Sequence, residues 1–200
     1  KNNITGEEDE FTTGAEGDFS KMLPDGKIGD SVSYTISLEK ESFLPKKAVY
    51  NKKFNRDGQY NLHEELDIKL DKIGADIAKI INVKPIYFNL AKWDIRPDAA
   101  VQLNKIVKIL NAYPTMEIEL GSHTDCRGNM QYNQELSDKR AKASAEYIKK
   151  RIKNPERITG RGYGESKLIT DCPCEGDKKS TCTEEQHQKN RRTEFIITKL

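Results

Sequence analysis

Val32, Tyr34, Ile36 and Leu38 alternate with polar residues, the period of a half-buried strand. Ala48–Phe54 reads as a second strand, and from Leu62 to Ile73 the alternation returns. There Leu66, Ile68 and Leu70 face one way and Asp67, Lys69 and Asp71 the other, until Gly74 ends the run. Residues 1 to 30 are acidic, glycine-containing and poorly patterned, which predicts loop with room for one short strand. Residues 1–76 therefore predict a small antiparallel β domain.

Beyond residue 83 the periods change repeatedly. Pro85–Leu90 predicts a short buried strand, and Pro97 followed by Asp98 is a normal helix start. Ala100, Leu103, Val107 and Leu110 recur at helical spacing until Tyr113-Pro114. Met116–Leu120 alternates as a strand, a loop at Asp125–Gly128 follows, and a long helix runs from Met130 to Ile152, closed by Asn154-Pro155. Ile158–Tyr163 predicts a third strand. Thr183 and Gln186 have capping-box spacing for a short helix, and Thr193–Thr198 is a last strand. The fold class is α+β. Residues 84–200 predict an α/β sandwich, βαβαβ plus a short helix and a final strand, with helices on one sheet face.

Composition narrows the function more than the fold. Of 200 residues, 35% are hydrophobic and 33% charged, and the net charge is +2 with acids and bases well mixed. Nucleic-acid binding, which needs a strongly basic face, finds no support. No run of 18 apolar residues is present, so no segment of the chain reads as a membrane-spanning helix. The opening Lys1-Asn-Asn reads as the interior of a larger protein, with any targeting signal or anchor upstream. Cys126, Cys172, Cys174 and Cys182 make an even set. Disulfides are favoured over a metal centre, because Cys-Pro-Cys has one intervening residue where structural zinc sites use two to four. No metal or cofactor is called for.

The long helix holds one residue out of place. At about 100° per residue with Leu136 at zero, Lys139, Lys142, Glu146, Lys149 and Lys150 form a polar side. Leu136, Ala141, Ala143, Ala145, Tyr147 and Ile148 form a broad apolar arc. Arg140 falls inside that arc, on a stripe with Asn133. A guanidinium there is costly unless an acceptor meets it. Asp125, just past a strand end, is the natural partner. Either the two form a structural ion pair, or both line a pocket for a zwitterion: aspartate for its ammonium, the arginine fork for its carboxylate.

Four ordered segments carry a family resemblance: Ser122-His-Thr-Asp-Cys-Arg-Gly128, Tyr132-Asn-Gln-Glu-Leu-Ser-Asp-Lys-Arg-Ala141, Gly160-Arg-Gly-Tyr-Gly-Glu165 and Asn190-Arg-Arg-Thr-Glu-Phe195. They resemble the OmpA C-terminal (OmpA/Pal/MotB-like) domain, and Ile86-Tyr-Phe-Asn89 with Ile95-Arg-Pro97 resembles its first strand and helix entry. The resemblance implies non-covalent binding of the peptidoglycan stem peptide, typically through diaminopimelate. It also implies a place on the periplasmic face of a Gram-negative outer membrane, as in lipoprotein members of the family. By the same resemblance Asp125 takes the ammonium and Arg140 the carboxylate. Thr124, Asn133 and Asn89 are supporting contacts, Leu136 is an apolar wall, and Arg191 or Arg192 either lines the pocket or knits the short helix to the last strand. Cysteines in this loop occur in some branches of the family, which suggests Cys126 paired with Cys172 or Cys174 and Cys182 with the other. Thr13–Phe19, Leu23–Gly26 and the Tyr34–Leu38 strand loosely resemble a carboxypeptidase-regulatory-like β-sandwich.

Two rival functions remain. An enzyme would need an activated nucleophile or metal-bound water, but His63, His123 and His187 are scattered without zinc spacing or a Gly-x-Ser-x-Gly turn. His123 is expected to be a packed strand-end histidine. Alternatively the protein is an envelope interaction scaffold, for instance in secretion machinery, binding other envelope proteins while the wall site is secondary.

Overall fold

The two predicted kinds of pattern end in two separate sheets. The computed structural model describes residues 1–14, 20–22, 27–60, 66, 70–172, 174 and 180–200. Much of the predicted 62–73 alternation, and most of the 13–26 stretch, lies outside the described residues. The chain forms two compact units, Lys1–Leu70 and Asp71–Leu200.

In the first unit β1 (Ser31–Leu38) pairs antiparallel with β2 (Lys46–Lys53), Tyr34 opposite Tyr50. The expected short strand near the N-terminus is reduced to one bridge, Asn2 with Tyr34. Tyr50 and Leu44 are buried while most of β1 is half-buried. A two-stranded sheet is common to many folds and does not carry the β-sandwich resemblance.

The second unit runs α1 (Ile77–Ile80), α2 (Pro97–Ala112), β3 (Glu117–His123), α3 (Met130–Lys149), a 3-10 turn at Pro155–Arg157, β4 (Ile158–Gly164), α4 (Glu184–Asn190) and β5 (Thr193–Lys199). Its sheet has the order β4-β3-β5, with β3 parallel to β4 and antiparallel to β5. Pro97 opens α2 and Tyr113 closes it, as expected. Asn129 caps α3 by accepting from the amides of Gln131 and Tyr132, and the capping box at Thr183 and Gln186 is formed.

The register explains the core. Ile118 lies beside Ile158 and Ile197, and Leu120 beside Gly160 and Phe195. These side chains share one face, where Leu103, Ile106 and Leu110 of α2 and Ile148 of α3 are also buried. The other face is polar: the Tyr163 hydroxyl donates to Glu119, and His123 stacks on Tyr163 with centroids 5.1 Å apart.

Two expectations need correction. Residues 85–90 form no strand, so the βαβαβ order lacks its first β. Pro85 has no N–H to give a ladder, and the β5 edge beyond β3 is already used. The Phe195 amide donates to the Asp76 carboxylate (3.0 Å), the Ile197 amide to the Ala75 carbonyl (3.0 Å), and the Ile197 carbonyl accepts from Gly74 (2.8 Å). Burial pushes the Asp76 carboxyl above its ordinary pKa.

The second correction concerns the buried stripe of α3. It consists of Asn133, Ser137, Ala141, Ser144, Ala145 and Ile148, whereas Leu136, Arg140, Ala143 and Tyr147 are half-buried on its flank. Small residues face the sheet because β4 presents glycines there. A Cβ on Gly160 would lie 2.6 Å from the Ala141 carbonyl oxygen. The helix backbone rests almost directly on the strand backbone.

Candidate functional site

The parallel strands β3 and β4 end together, and the loops leaving them meet the N-terminus of α3. In α/β sheets the carboxyl ends of parallel strands are where ligands are usually held. Here the loop after β3 is clamped. The Thr124 amide donates to the Gly164 carbonyl (2.9 Å), and the Asn133 amide nitrogen reaches the carbonyls of Asp125 (3.3 Å) and Arg127 (3.2 Å) and the Glu165 carboxylate (2.6 Å). Asn133 is thus a loop clamp, its donors consumed inside the protein. Thr124 is buried with its Oγ1 free of hydrogen bonds among the described residues.

Asp125 sits at the centre, its side chain 7% exposed. Its Oδ1 accepts from the Arg127 amide (3.0 Å), and its Oδ2 accepts from Arg127 Nε (3.2 Å), Arg127 Nη2 (2.7 Å) and Arg191 Nη1. Burial alone would raise this carboxyl, but the hydrogen bonds from Arg127 and Arg191 prevail and hold its pKa below the ordinary value. The simple ion pair with Arg140 is not formed. Glu184, in the first turn of α4, joins both Arg127 (2.8 Å) and Arg191, and Gln188 also accepts from Arg191.

Arg140 is held differently. Nε donates to the Lys92 carbonyl (3.0 Å) and Nη2 to the Asn89 carbonyl (3.3 Å), while the guanidinium lies 5.0 Å over the Phe88 ring. No carboxylate pairs with it among the described residues. Burial lowers its pKa, and Arg191 lies near enough to add to that effect.

The other predicted residues divide. Arg191 belongs to the cluster. Arg192 points elsewhere, donating to Glu194 (2.8 Å) and the Lys167 carbonyl (3.0 Å), the stapling role. Asn89 contributes its carbonyl to Arg140, and its side chain accepts from Arg96 (3.4 Å). Leu136 stands half-buried one turn before Arg140. His123 is buried, and burial followed by the Arg192 charge pushes its pKa down to about 4, so its imidazole is neutral at pH 7. Arg127 and Glu184 were missed. Arg127 stands inside the quoted loop motif, but its pairing with Asp125 depends on a turn whose shape the residue types do not reveal.

The cysteines form two disulfides, Cys126–Cys174 and Cys172–Cys182, one of the two pairings the resemblance suggested. The first spans 48 residues and ties the residue next to Asp125. Replacing both its cysteines by serine is expected to cost about 4 kcal/mol, because a long loop is closed in the unfolded chain. Thermal unfolding of the Cys126→Ser/Cys174→Ser variant against the Cys172→Ser/Cys182→Ser variant checks this. The shorter loop of the second bridge should cost less.

Fold and cluster together define a small α+β domain with an arginine-rich cluster at one end of its sheet. Residues 87–181 match the OmpA family, and this part of the chain is an OmpA family domain. The chain is 31% identical over 124 residues to outer membrane porin F of Pseudomonas fluorescens, covering 62% of this chain and 35% of that protein. It is 29% identical over 126 residues to the peptidoglycan-associated lipoprotein of a Buchnera aphidicola strain, covering 63% of this chain and 68% of that protein. A photosystem I P700 chlorophyll a apoprotein A2 of Gloeobacter violaceus is 33% identical over 112 residues, covering 56% of this chain but 12% of that protein. The chain thus spans well under half the length of two of these relatives. Among solved structures, the peptidoglycan-associated lipoprotein of Burkholderia pseudomallei superimposes with a TM-score of 0.46 at 22% identity, over 57% of this chain and 90% of that one.

Proposed function

We propose that residues 71–200 hold peptidoglycan without covalent chemistry, the zwitterionic centre of a diaminopimelate stem peptide lying between Arg140 and Asp125. The observation that carries this reading is Arg140: a half-buried guanidinium fixed by two main-chain carbonyls and an aromatic ring, with no anion among the described residues to neutralise it. A charge kept out of water in this way is costly without a partner. A ligand carboxylate supplies that partner, with hydrogen bonds stronger than neutral ones. Asp125 then receives the ammonium, and Leu136 and Asn89 border the carboxylate. The names of two relatives, a peptidoglycan-associated lipoprotein and an outer membrane porin, support the same ligand and a place at the outer membrane.

Co-sedimentation with purified sacculi tests the reading. The wild-type chain is expected to pellet with the wall. Arg140→Ala and Asp125→Asn are each expected to weaken binding at least about tenfold, the cost of losing one charge-assisted contact, while circular dichroism stays native. Full binding by both variants would overturn the assignment.

A further inference from the structure

The Asp125 carboxylate that the ligand ammonium needs is already occupied. Two guanidiniums sit on it, and they are not equivalent. Arg191 is 26% exposed and is also bonded to Gln188 and Glu184. Arg127 is 47% exposed, and its other arm already rests on Glu184, with Nη1 2.8 Å from Oε2. Glu184 is itself 66% exposed and sits in the first turn of α4.

We propose that Arg127 is a built-in competitor of the ligand: its guanidinium holds the place of the ammonium on Asp125 and transfers to Glu184 when the stem peptide binds. This rests on the zwitterion reading above. The main chain of Arg127 has little freedom to follow, because its carbonyl accepts from Asn133 and its neighbour Cys126 is bridged to Cys174. The side chain alone has to move. That movement is inexpensive, since the arm exchanges one carboxylate for another already in contact and ends nearer water, where ion pairs contribute little. Arg191 could not serve in the same way, being more enclosed and fixed by three partners. The arrangement also confers selectivity. A ligand with only a carboxylate cannot displace Arg127, so the complete zwitterion is favoured over simple anions.

An ordinary loop-pinning role for Arg127 predicts the opposite sign, so calorimetric titration of the 200-residue chain with meso-diaminopimelate decides. Arg127→Ala is expected to bind roughly fivefold more tightly than wild type, the competing guanidinium being gone from Asp125. Glu184→Gln, which removes the alternative seat without touching the loop, is expected to bind more weakly by a similar factor. The same probe acetylated on both amines carries no ammonium, and its affinity should not rise in Arg127→Ala. Unchanged or weaker diaminopimelate binding by Arg127→Ala, or unchanged binding by Glu184→Gln, overturns the competitor role. If the wild type binds in those experiments and Arg140→Ala does not, the wall-binding reading stands without it. If neither wild type nor Arg127→Ala binds, both fall.

Discussion

Gly162→Ala is expected to unfold the C-terminal unit or leave it barely stable. A Cβ at this position would lie 2.2 Å from the Asp138 amide nitrogen, 2.5 Å from the Asp138 Cα and 2.6 Å from the Ser137 hydroxyl oxygen. Two of these neighbours are main chain of α3 and cannot rotate away. The methyl enters only if the whole helix lifts from β4. That opens the packing of Ala141, Ala145 and Ile148 and breaks the bond from the Gly164 amide to the Ser137 hydroxyl (2.8 Å). Overpacking usually costs 1–3 kcal/mol where side chains can adjust; with backbone on both sides we expect at least about 4 kcal/mol, at the exceptional end of single-residue effects. Denaturant unfolding measures it. Gly121→Ala is the comparison, since its Cβ meets side chains alone, the Tyr163 ring at 3.1 Å and His123 Nε2 at 3.4 Å. It should cost about 1 kcal/mol. Similar losses for the two variants would show that the helix floats over the strand more freely than its small-residue stripe implies. Because α3 carries Asn133 and Arg140, any folded Gly162→Ala protein should also lose wall binding.

Arg157→Met is the second large expected effect. Arg157 is buried, yet it donates to the carbonyls of Leu110 (3.1 Å), Tyr113 (3.1 Å), Met116 (3.0 Å) and Lys153 (2.8 Å). The first two close the C-terminus of α2, whose last carbonyls have no partners within the helix. The third leads into β3, so one guanidinium fastens helix end, strand start and the 3-10 turn. Methionine fills a similar volume but donates nothing, leaving buried carbonyls each worth about 1–3 kcal/mol when unsatisfied. Some will find water as the region loosens. We therefore expect a net loss of about 4 kcal/mol and a fall in Tm on the order of 10 °C. Lysine should recover less than half, because a single ammonium cannot span the carbonyls that the planar fork reaches. Equal stability of wild type and Arg157→Met by thermal and urea unfolding would refute the fastening role.

The close packing at Gly162 bears on how the proposed wall ligand would be held. Arg140 does not rest on an opposite charge of its own; it rests on the carbonyls of Asn89 and Lys92, a loop in front of α2. Asp125 rests on a loop fixed by Asn133 and by Cys126–Cys174. The two charged groups of the proposed site are thus set by different parts of the unit, and their spacing depends on α3 lying close on β4. Binding should be more sensitive to that packing than to the polar face of the sheet.

Much of this was legible in the chain itself. Periodicity and punctuation located α2, β3, α3, β4, α4 and β5, because helix caps, prolines and alternating apolar residues act within a few neighbours. The Asp125 and Arg140 candidates came from an ordered set of motifs, and from one charge in an apolar arc. Three things depended on distant parts of the chain. Residues 85–90 have strand-like residues, but Pro85 has no N–H for a ladder, and Asp76 and Ala75 already bond to the edge of β5. The face α3 buries was misplaced because apolar character points to Leu136 and Tyr147, whereas the β4 glycines admit only small residues and select Ser137 and Ala141. The pairing of Asp125 with Arg127 and Arg191, rather than with Arg140, is electrostatics between segments up to 66 residues apart. Local sequence fixes which elements form; which charges meet is decided by how closely the elements pack, since ion pairing falls off with separations that only the folded chain sets.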